Sequence, residues 1–246
     1  MKPLICLLFS VALVFSSLAV FATGSPQATQ EDQSWTKWTK KEAEKMLSDS
    51  PWALNQTETD TSEMFYSPTT ASTRPDNSAE RIVIGATNQS VNIKYMIRFF
   101  SARPVRRALV RMMELQTNPA PDVVEKLRNF ANVKATDSII VTLTAQSPDQ
   151  RYERAVMQAL DSALTATLKN DTYLERDGKR LFLEEYVPPG KDGFGARFIF
   201  LRELDGKPFI SDKTGEVRFY SKFPRGPRLD RRFKVSDMLY NGELEY

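Results

Sequence analysis

Two clusters of arginine residues are the side chains in this sequence best suited to bind an anionic ligand. Arg103, Arg107 and Arg111 lie four residues apart, so that on a helix they share one face. A planar guanidinium group donates two parallel hydrogen bonds to a carboxylate or a phosphate group. These clusters predict an anion-binding surface for a glycan, a lipid headgroup or a protein partner. Its candidate residues are Arg98, Arg103, Arg106, Arg107, Arg111, Arg228, Arg231 and Arg232.

The surrounding charge gives these clusters a simpler interpretation. Residues 23–80 hold 5 basic and 10 acidic residues, whereas residues 81–246 hold 28 basic and 21 acidic residues. Runs of charge more often keep a surface in water than bind a ligand. From the pattern alone we favour solvated faces, partly paired with Glu114 or with the acidic N-terminal segment. Nucleic acid is not an expected partner, because the sequence contains no nucleic-acid-binding motif.

The missing residue types exclude several kinds of chemistry. The chain has no histidine, and its single cysteine is Cys6. It cannot form a Ser-His-Asp triad or use a histidine general base. If Cys6 is removed with an N-terminal signal, there is no thiol nucleophile, no disulfide and no Cys/His metal site. We therefore assign no catalytic residue, no metal site and no cofactor.

Carboxylates leave one route to an enzyme. Glu184 and Glu185 are adjacent on a predicted strand, so their side chains point to opposite faces. Glu175, Glu184 and Glu203 lie on or beside neighbouring predicted strands and could converge, as hydrolysis of a glycosidic bond requires. A role in solvation or in pairing with arginine is the simpler expectation for them.

The first residues have the pattern of a secretory signal. Lys2 precedes an apolar stretch, and small residues at positions 20 and 22 allow cleavage after Ala22. Helix-breaking residues follow at once, which favours a cleaved signal peptide, residues 1–22, over an uncleaved membrane anchor. The protein is therefore expected to be exported, to the periplasm or the exterior.

Residues 23–80 are predicted to be a flexible polar leader containing one short helix. Thr39 and Glu42 have the spacing of a capping box, and Ser50-Pro51 ends the helix. Tryptophans flank this helix, which is too short to be stable alone and is expected to dock on the main domain rather than on a partner. Residues 53–80, rich in threonine and serine, favour a linker.

Residues 81–246 are predicted to form one α+β domain. A period-two pattern over residues 91–100 indicates a strand, and two helices are expected over 104–118 and 123–130. A second strand is predicted over 139–143, then a helix of about five turns capped by Ser147. Recurrent Asp-Gly turns indicate a C-terminal antiparallel meander. This order favours a mixed sheet with helices on one face.

Four stretches resemble a family of secreted bacterial proteins of uncharacterised function. They are residues 48–52 (SDSPW), 98–106 (RFFSARPVR), 195–202 (GARFIFLR) and 233–242 (FKVSDMLYNG). The resemblance covers most of the chain after residue 22. It implies an exported protein and carries no catalytic residue. The leading hypothesis is an exported, non-enzymatic protein that binds or scaffolds an anionic envelope or extracellular partner. The alternative is a carboxylate-based hydrolase of an envelope or extracellular polymer.

Overall fold

The computed structural model describes residues 34–60, 91–224 and 226–246. The predicted signal peptide, residues 1–22, lies outside this part of the chain, as does Arg225, a neighbour in sequence of the candidate residues Arg228, Arg231 and Arg232. The combination of helices and sheets confirms the α+β fold, and the C-terminal third contains the expected antiparallel meander. None of the described helices is long and apolar enough to cross a membrane.

The helices of the described ranges are short. One-turn 3-10 helices occur at Ser34–Lys37 and Val235–Asp237. The α-helices are α1 (Lys40–Ser48), α2 (Arg103–Thr117), α3 (Pro121–Asn132), α4 (Gln150–Asp161) and α5 (Thr165–Leu168).

Two sheets contain most of the strands, which are numbered here in chain order. Sheet A consists, in spatial order, of β1 (Ala53–Asp60), β2 (Val91–Phe99), β3 (Ser138–Gln146), β7 (Ala196–Leu201) and β6 (Glu185–Val187). Sheet B consists of β11 (Arg228–Lys234), β10 (Glu216–Lys222), β4 (Thr172–Arg176) and β5 (Lys179–Phe182). Two small hairpins pair β8 (Glu203–Leu204) with β9 (Lys207–Pro208), and β12 (Leu239–Tyr240) with β13 (Glu243–Leu244).

The core lies between the two sheets. The alternating pattern of β2 puts Ile97 and Phe99 on the face of sheet A that is covered, and both are fully buried. Aromatic side chains join the sheets across this core. Phe99 meets Phe233 edge to face with 4.8 Å between ring centroids, and Phe198 meets Phe219 in the same way at 5.2 Å.

The N-terminal helix docks on this domain, as predicted. Thr39 Oγ1 accepts a hydrogen bond from Glu42 N, and Glu42 Oε2 accepts one from Thr39 N at 2.7 Å, which confirms the capping box. Ala43 and Leu47 of α1 belong to the main hydrophobic core, together with Trp52 just after the helix. The free energy of burying these side chains holds a helix that is too short to be stable alone.

Three local predictions differ from the structure. Residues 53–60, expected to be linker, form the edge strand β1 along the whole of β2, because backbone pairing and a buried Ala53 outweigh a polar composition. The expected five-turn helix is interrupted after Asp161 and is capped by Asp149 rather than by Ser147. Every described strand pair is antiparallel, which refines the expected mixed sheet.

Candidate anion-binding sites

The first predicted cluster is occupied by contacts within the protein, beginning with Arg103. Its Nε donates to Glu245 Oε1 at 2.5 Å, and its Nη2 donates to Glu243 Oε2 at 2.6 Å. Glu245 is only 3% exposed, and its Oε2 also accepts the main-chain N–H of Arg103 at 3.1 Å. Because Ala102 at the N-cap position has no side chain able to cap, Glu245 of the C-terminal tail caps α2.

Arg98 and Arg106 are buried against main-chain oxygens. Arg98 Nε donates to the carbonyl oxygen of Leu47 at 2.6 Å, and Arg106 donates to the carbonyl oxygens of Ser101 and Val133. Neither forms an ion pair with a carboxylate of the described residues. Burial lowers the pKa of both guanidinium groups to about 10, so they stay protonated at neutral pH.

Arg107 and Arg111 join α2 to its neighbours. Arg107 is 2% exposed, lies over the ring of Trp35 at 5.8 Å and donates to Asn132 Oδ1 at 3.0 Å. Arg111 donates to the carbonyl oxygen of Trp38 at 2.8 Å and forms an ion pair with Glu114 at 3.0 Å.

The shared partner Glu114 also accepts a hydrogen bond from Arg128 of α3 at 2.8 Å. Burial raises the pKa of Glu114, but the hydrogen bonds from Arg128 and Arg111 outweigh burial and lower it below the usual value. Pairing of the first cluster with Glu114 was expected, whereas burial of Arg98, Arg106 and Arg107 was not. Each of the five arginines donates at least one hydrogen bond to another group of the protein, so in this conformation all five contribute to the fold.

The second predicted cluster lies on β11 and is divided between two faces. Antiparallel register places Arg232 opposite Arg218, and Arg228 opposite Lys222, on the face of sheet B that is turned away from the core. We call this face, with the side chains that point from it, the outer face. Arg231 points the other way, because its register partner is the fully buried Phe219.

Aromatic and charged side chains form two rows across the outer face. One row consists of Phe182, Tyr173, Tyr220 and Asp230, and the other of Arg180, Glu175, Arg218 and Arg232. Tyr173 and Tyr220 stack with 5.0 Å between ring centroids, and Arg180 lies 4.3 Å above the ring of Tyr173. Such cation–π contacts hold the guanidinium groups against the rings and limit their movement.

Ion pairs with carboxylates also fix Arg180 and Arg218. Arg218 binds both oxygens of Asp230 at 2.7 and 2.6 Å, and Arg180 binds Glu175 at 2.8 Å. The hydrogen bond from Arg218 is the largest cause of the lowered pKa of Asp230, and that from Arg180 is the largest cause of the lowered pKa of Glu175. Neither Arg228 nor Lys222 has a carboxylate within ion-pair distance among the described residues, and both are exposed.

A cleft of about 480 Å³ lies where the edge strands β1 and β11 meet. Gln56 joins these strands by accepting from the Asp230 main-chain N–H at 2.9 Å and donating to the Arg228 carbonyl oxygen at 2.6 Å. We call the cleft the seam cleft. It is lined by Leu54, Asn55, Asp230, Arg231 and Arg232.

Two polar atoms beside the seam cleft lack a hydrogen-bond partner among the described residues. They are Asn55 Oδ1, an acceptor, and Arg231 Nε, a donor, and both are shielded from bulk water. The Asn55 amide is oriented by its Nδ2, which donates to the carbonyl oxygen of Ser48 at 2.5 Å. A buried polar atom without a partner costs about 1–3 kcal/mol, so two such atoms at one cleft call for an explanation.

The carboxylates considered for hydrolysis belong to different sheets. Glu175 lies in sheet B and binds Arg180, Glu184 precedes β6 of sheet A, and Glu203 lies in the β8–β9 hairpin. In the described part of the chain, no group of three or more Asp, Glu, His or Cys side chains is placed to hold a metal ion.

Sequence reasoning did not single out Arg180, Arg218, Tyr173 or Tyr220, and it did not assign Asn55 to an anion-binding site. The alternation of Glu216, Arg218, Tyr220 and Lys222 in β10 is a visible signal that these side chains share one face. The pairing of β10 with β4, which is more than 40 residues earlier, could not be read from that pattern.

Comparison with known proteins adds no relative. The chain matches no family model, no curated protein and no solved structure. The resemblance to secreted bacterial proteins therefore stays a prediction.

Proposed function

We propose that this is an exported, non-enzymatic protein that binds an anionic glycan through the outer face of sheet B. The observation that carries the proposal is a surplus of positive charge on this face, where Arg180 and Arg218 are held by aromatic rings and carboxylates and Lys222 and Arg228 have no carboxylate within ion-pair distance among the described residues. The described residues of the outer face include six cations and three carboxylates; they are Arg180, Arg218, Lys222, Arg228, Arg232 and Lys234, with Glu175, Glu216 and Asp230. Export itself rests on the pattern of residues 1–22.

Arginines that are already held in place lose little conformational entropy when they bind an anion. Arg180 and Arg218 are fixed by aromatic rings and by carboxylates, so little side-chain entropy is lost when an anion arrives. Among the described residues, neither Lys222 nor Arg228 has a carboxylate within ion-pair distance that would have to be released first. They lie opposite each other across the β10–β11 pair and offer adjacent charges to a repeating polyanion.

The shape of the face fits an extended polymer better than a small substrate. Rows of side chains cross four strands, and the exposed ring of Phe182 (47%) at one end can pack against the C–H face of a sugar. Because the carboxylates of this face are engaged with arginines, the arrangement supports binding rather than general acid–base hydrolysis.

The test measures binding of the protein to dextran sulfate, polygalacturonate and neutral dextran at low and high salt. We expect both anionic polymers to bind, the neutral polymer not to bind, and affinity to fall as salt rises. The double substitution Lys222→Gln/Arg228→Gln should weaken binding about 5- to 30-fold, since each lost surface charge is worth about 0.5–1 kcal/mol.

A matched control removes the same charge elsewhere. Lys41→Gln/Lys45→Gln takes two exposed lysines from α1 and should leave binding unchanged. Equal losses in both double variants would mean that only net charge matters and would contradict a specific face. Binding to vesicles with anionic lipids, but not to either anionic polymer, would contradict the glycan and favour a membrane surface.

A further inference from the structure

Two residues that line the seam cleft, Asn55 and Arg231, each carry a buried polar atom that no described residue satisfies. Arg231 lies on the inward side of β11 between Leu229 and Phe233, which are both buried, so its stem is held in an apolar setting. Asn55 faces the cleft from β1, the edge strand of the other sheet. Unsatisfied polar atoms are rare in folded proteins, and two of opposite character at one cleft point to a bound group.

The chemistry of the two atoms restricts what this group can be. Arg231 Nε requires an acceptor, and together with a terminal nitrogen it has the fork geometry that fits a carboxylate. Asn55 Oδ1 requires a donor, because the amide nitrogen is committed to Ser48. Sulfate has no hydrogen to donate, so it can satisfy the arginine and not the asparagine.

The rest of the lining favours an anion with an apolar side. Asp230 is paired with Arg218 by two contacts, and Arg232 has only an exposed ion pair with Glu216 at 3.7 Å, so Arg231 and Arg232 make the potential near the lining positive. Leu54 contributes the apolar wall. A volume of about 480 Å³ accommodates a single sugar ring in an open cleft.

We infer that the seam cleft binds one uronic acid residue, with its carboxylate on Arg231 and a neighbouring hydroxyl donating to Asn55 Oδ1. Because both atoms are shielded from bulk water, binding requires the two side chains to rotate toward the cleft. The inference deepens the proposed function, since the uronic acid would belong to the glycan that crosses the outer face, and it relies on that proposal for the class of polymer.

The experiment follows backbone amide NMR shifts of the protein during titration with D-galacturonate. Its methyl ester, D-galactose and inorganic sulfate are titrated in parallel. We expect galacturonate to bind at least ten-fold more tightly than the ester and the neutral sugar, with shifts centred on residues 54–56 and 230–232. Sulfate should bind at least five-fold more weakly than galacturonate. These ligand comparisons need no variant and hold even if a substitution impairs folding.

Substitutions then test the proposed two-point contact between Arg231 and the carboxylate. Arg231→Lys keeps the charge but removes the Nε donor and should weaken galacturonate binding at least five-fold, and Arg231→Gln should weaken it 10- to 100-fold. Arg154→Gln removes an exposed arginine of α4 and serves as the matched control. Unchanged galacturonate affinity in Arg231→Lys would overturn the proposed two-point contact.

The outcomes separate this inference from the proposed function. If the anionic polymers bind through Lys222 and Arg228 but galacturonate is not preferred over its ester, the uronic acid site is overturned and the outer face stands. If galacturonate binds at the seam cleft while Lys222→Gln/Arg228→Gln has no effect on polymers, the cleft stands and the outer face is overturned. If none of the four ligands gives a saturable change in the amide shifts, the inference is overturned and the two atoms are assigned to bound water.

Discussion

Replacing Arg103 by glutamine should destabilise the fold without weakening anion binding. Arg103 forms an ion pair with Glu245, whose side chain is 3% exposed and therefore poorly solvated. Removing one member of a buried ion pair costs about 3–5 kcal/mol, because the remaining charge is left uncompensated. The exposed contact with Glu243 adds little, since surface pairs are worth about 0–1 kcal/mol. We expect the free energy of unfolding to fall by about 3–5 kcal/mol.

The partner substitution gives a cycle that tests this account. Glu245→Gln removes the charge but keeps an oxygen that can cap α2, and it should cost only about 1–2 kcal/mol. The double variant should resemble Glu245→Gln alone, because no buried charge is then unpaired. Urea unfolding followed by tryptophan fluorescence measures all four proteins. A loss below about 1 kcal/mol for Arg103→Gln, combined with weaker polyanion binding, would refute the reasoning and return the helix arginines to a binding role.

Three further outcomes follow from the described contacts. Gly195→Ala should lower the melting temperature sharply, because φ is +82° and a Cβ would lie 2.2 Å from the Leu143 carbonyl oxygen. The control Gly178→Ala, where φ is +74° but the surrounding space is open, should lower the free energy of unfolding by only about 1 kcal/mol. Thr39→Ala should cost about 1 kcal/mol in urea unfolding, and a full loss of the N-terminal helix would contradict this value. Folding lowers the pKa of Glu114, so the ionised carboxylate stabilises the protein above about pH 4, and this stabilisation is lost as the pH falls through the pKa of the folded state. Glu114→Gln should therefore make the free energy of unfolding depend less steeply on pH in this acidic range.

Local signals predicted much of the secondary structure. The alternation in β2 and the capping box before α1 are set by neighbours within a few residues, so they could be read directly. The Asp-Gly and Asn-Gly pairs at 177, 205 and 241 adopt the positive φ angles that tight hairpins need, as their composition indicates. Strand β1 was missed because its polar residues acquire strand structure only through pairing with β2.

The roles of the arginines show where sequence reasoning stopped. Spacing correctly placed Arg103, Arg107 and Arg111 on one helix, but spacing does not show what lies opposite that helix. The C-terminal tail supplies Glu245 to Arg103, a contact that spans 142 positions and engages this arginine within the protein.

The sequence by itself determined the residue types, and with them the chemistry that is absent. It also determined the local elements, because short-range hydrogen bonds and side-chain periodicity depend only on neighbouring residues. Only the tertiary structure decided which cations are buried, which lie on the outer face, and that Asn55 and Arg231 meet at one cleft. Strand register and long-range ion pairs made those choices, and both depend on residues far apart in the chain.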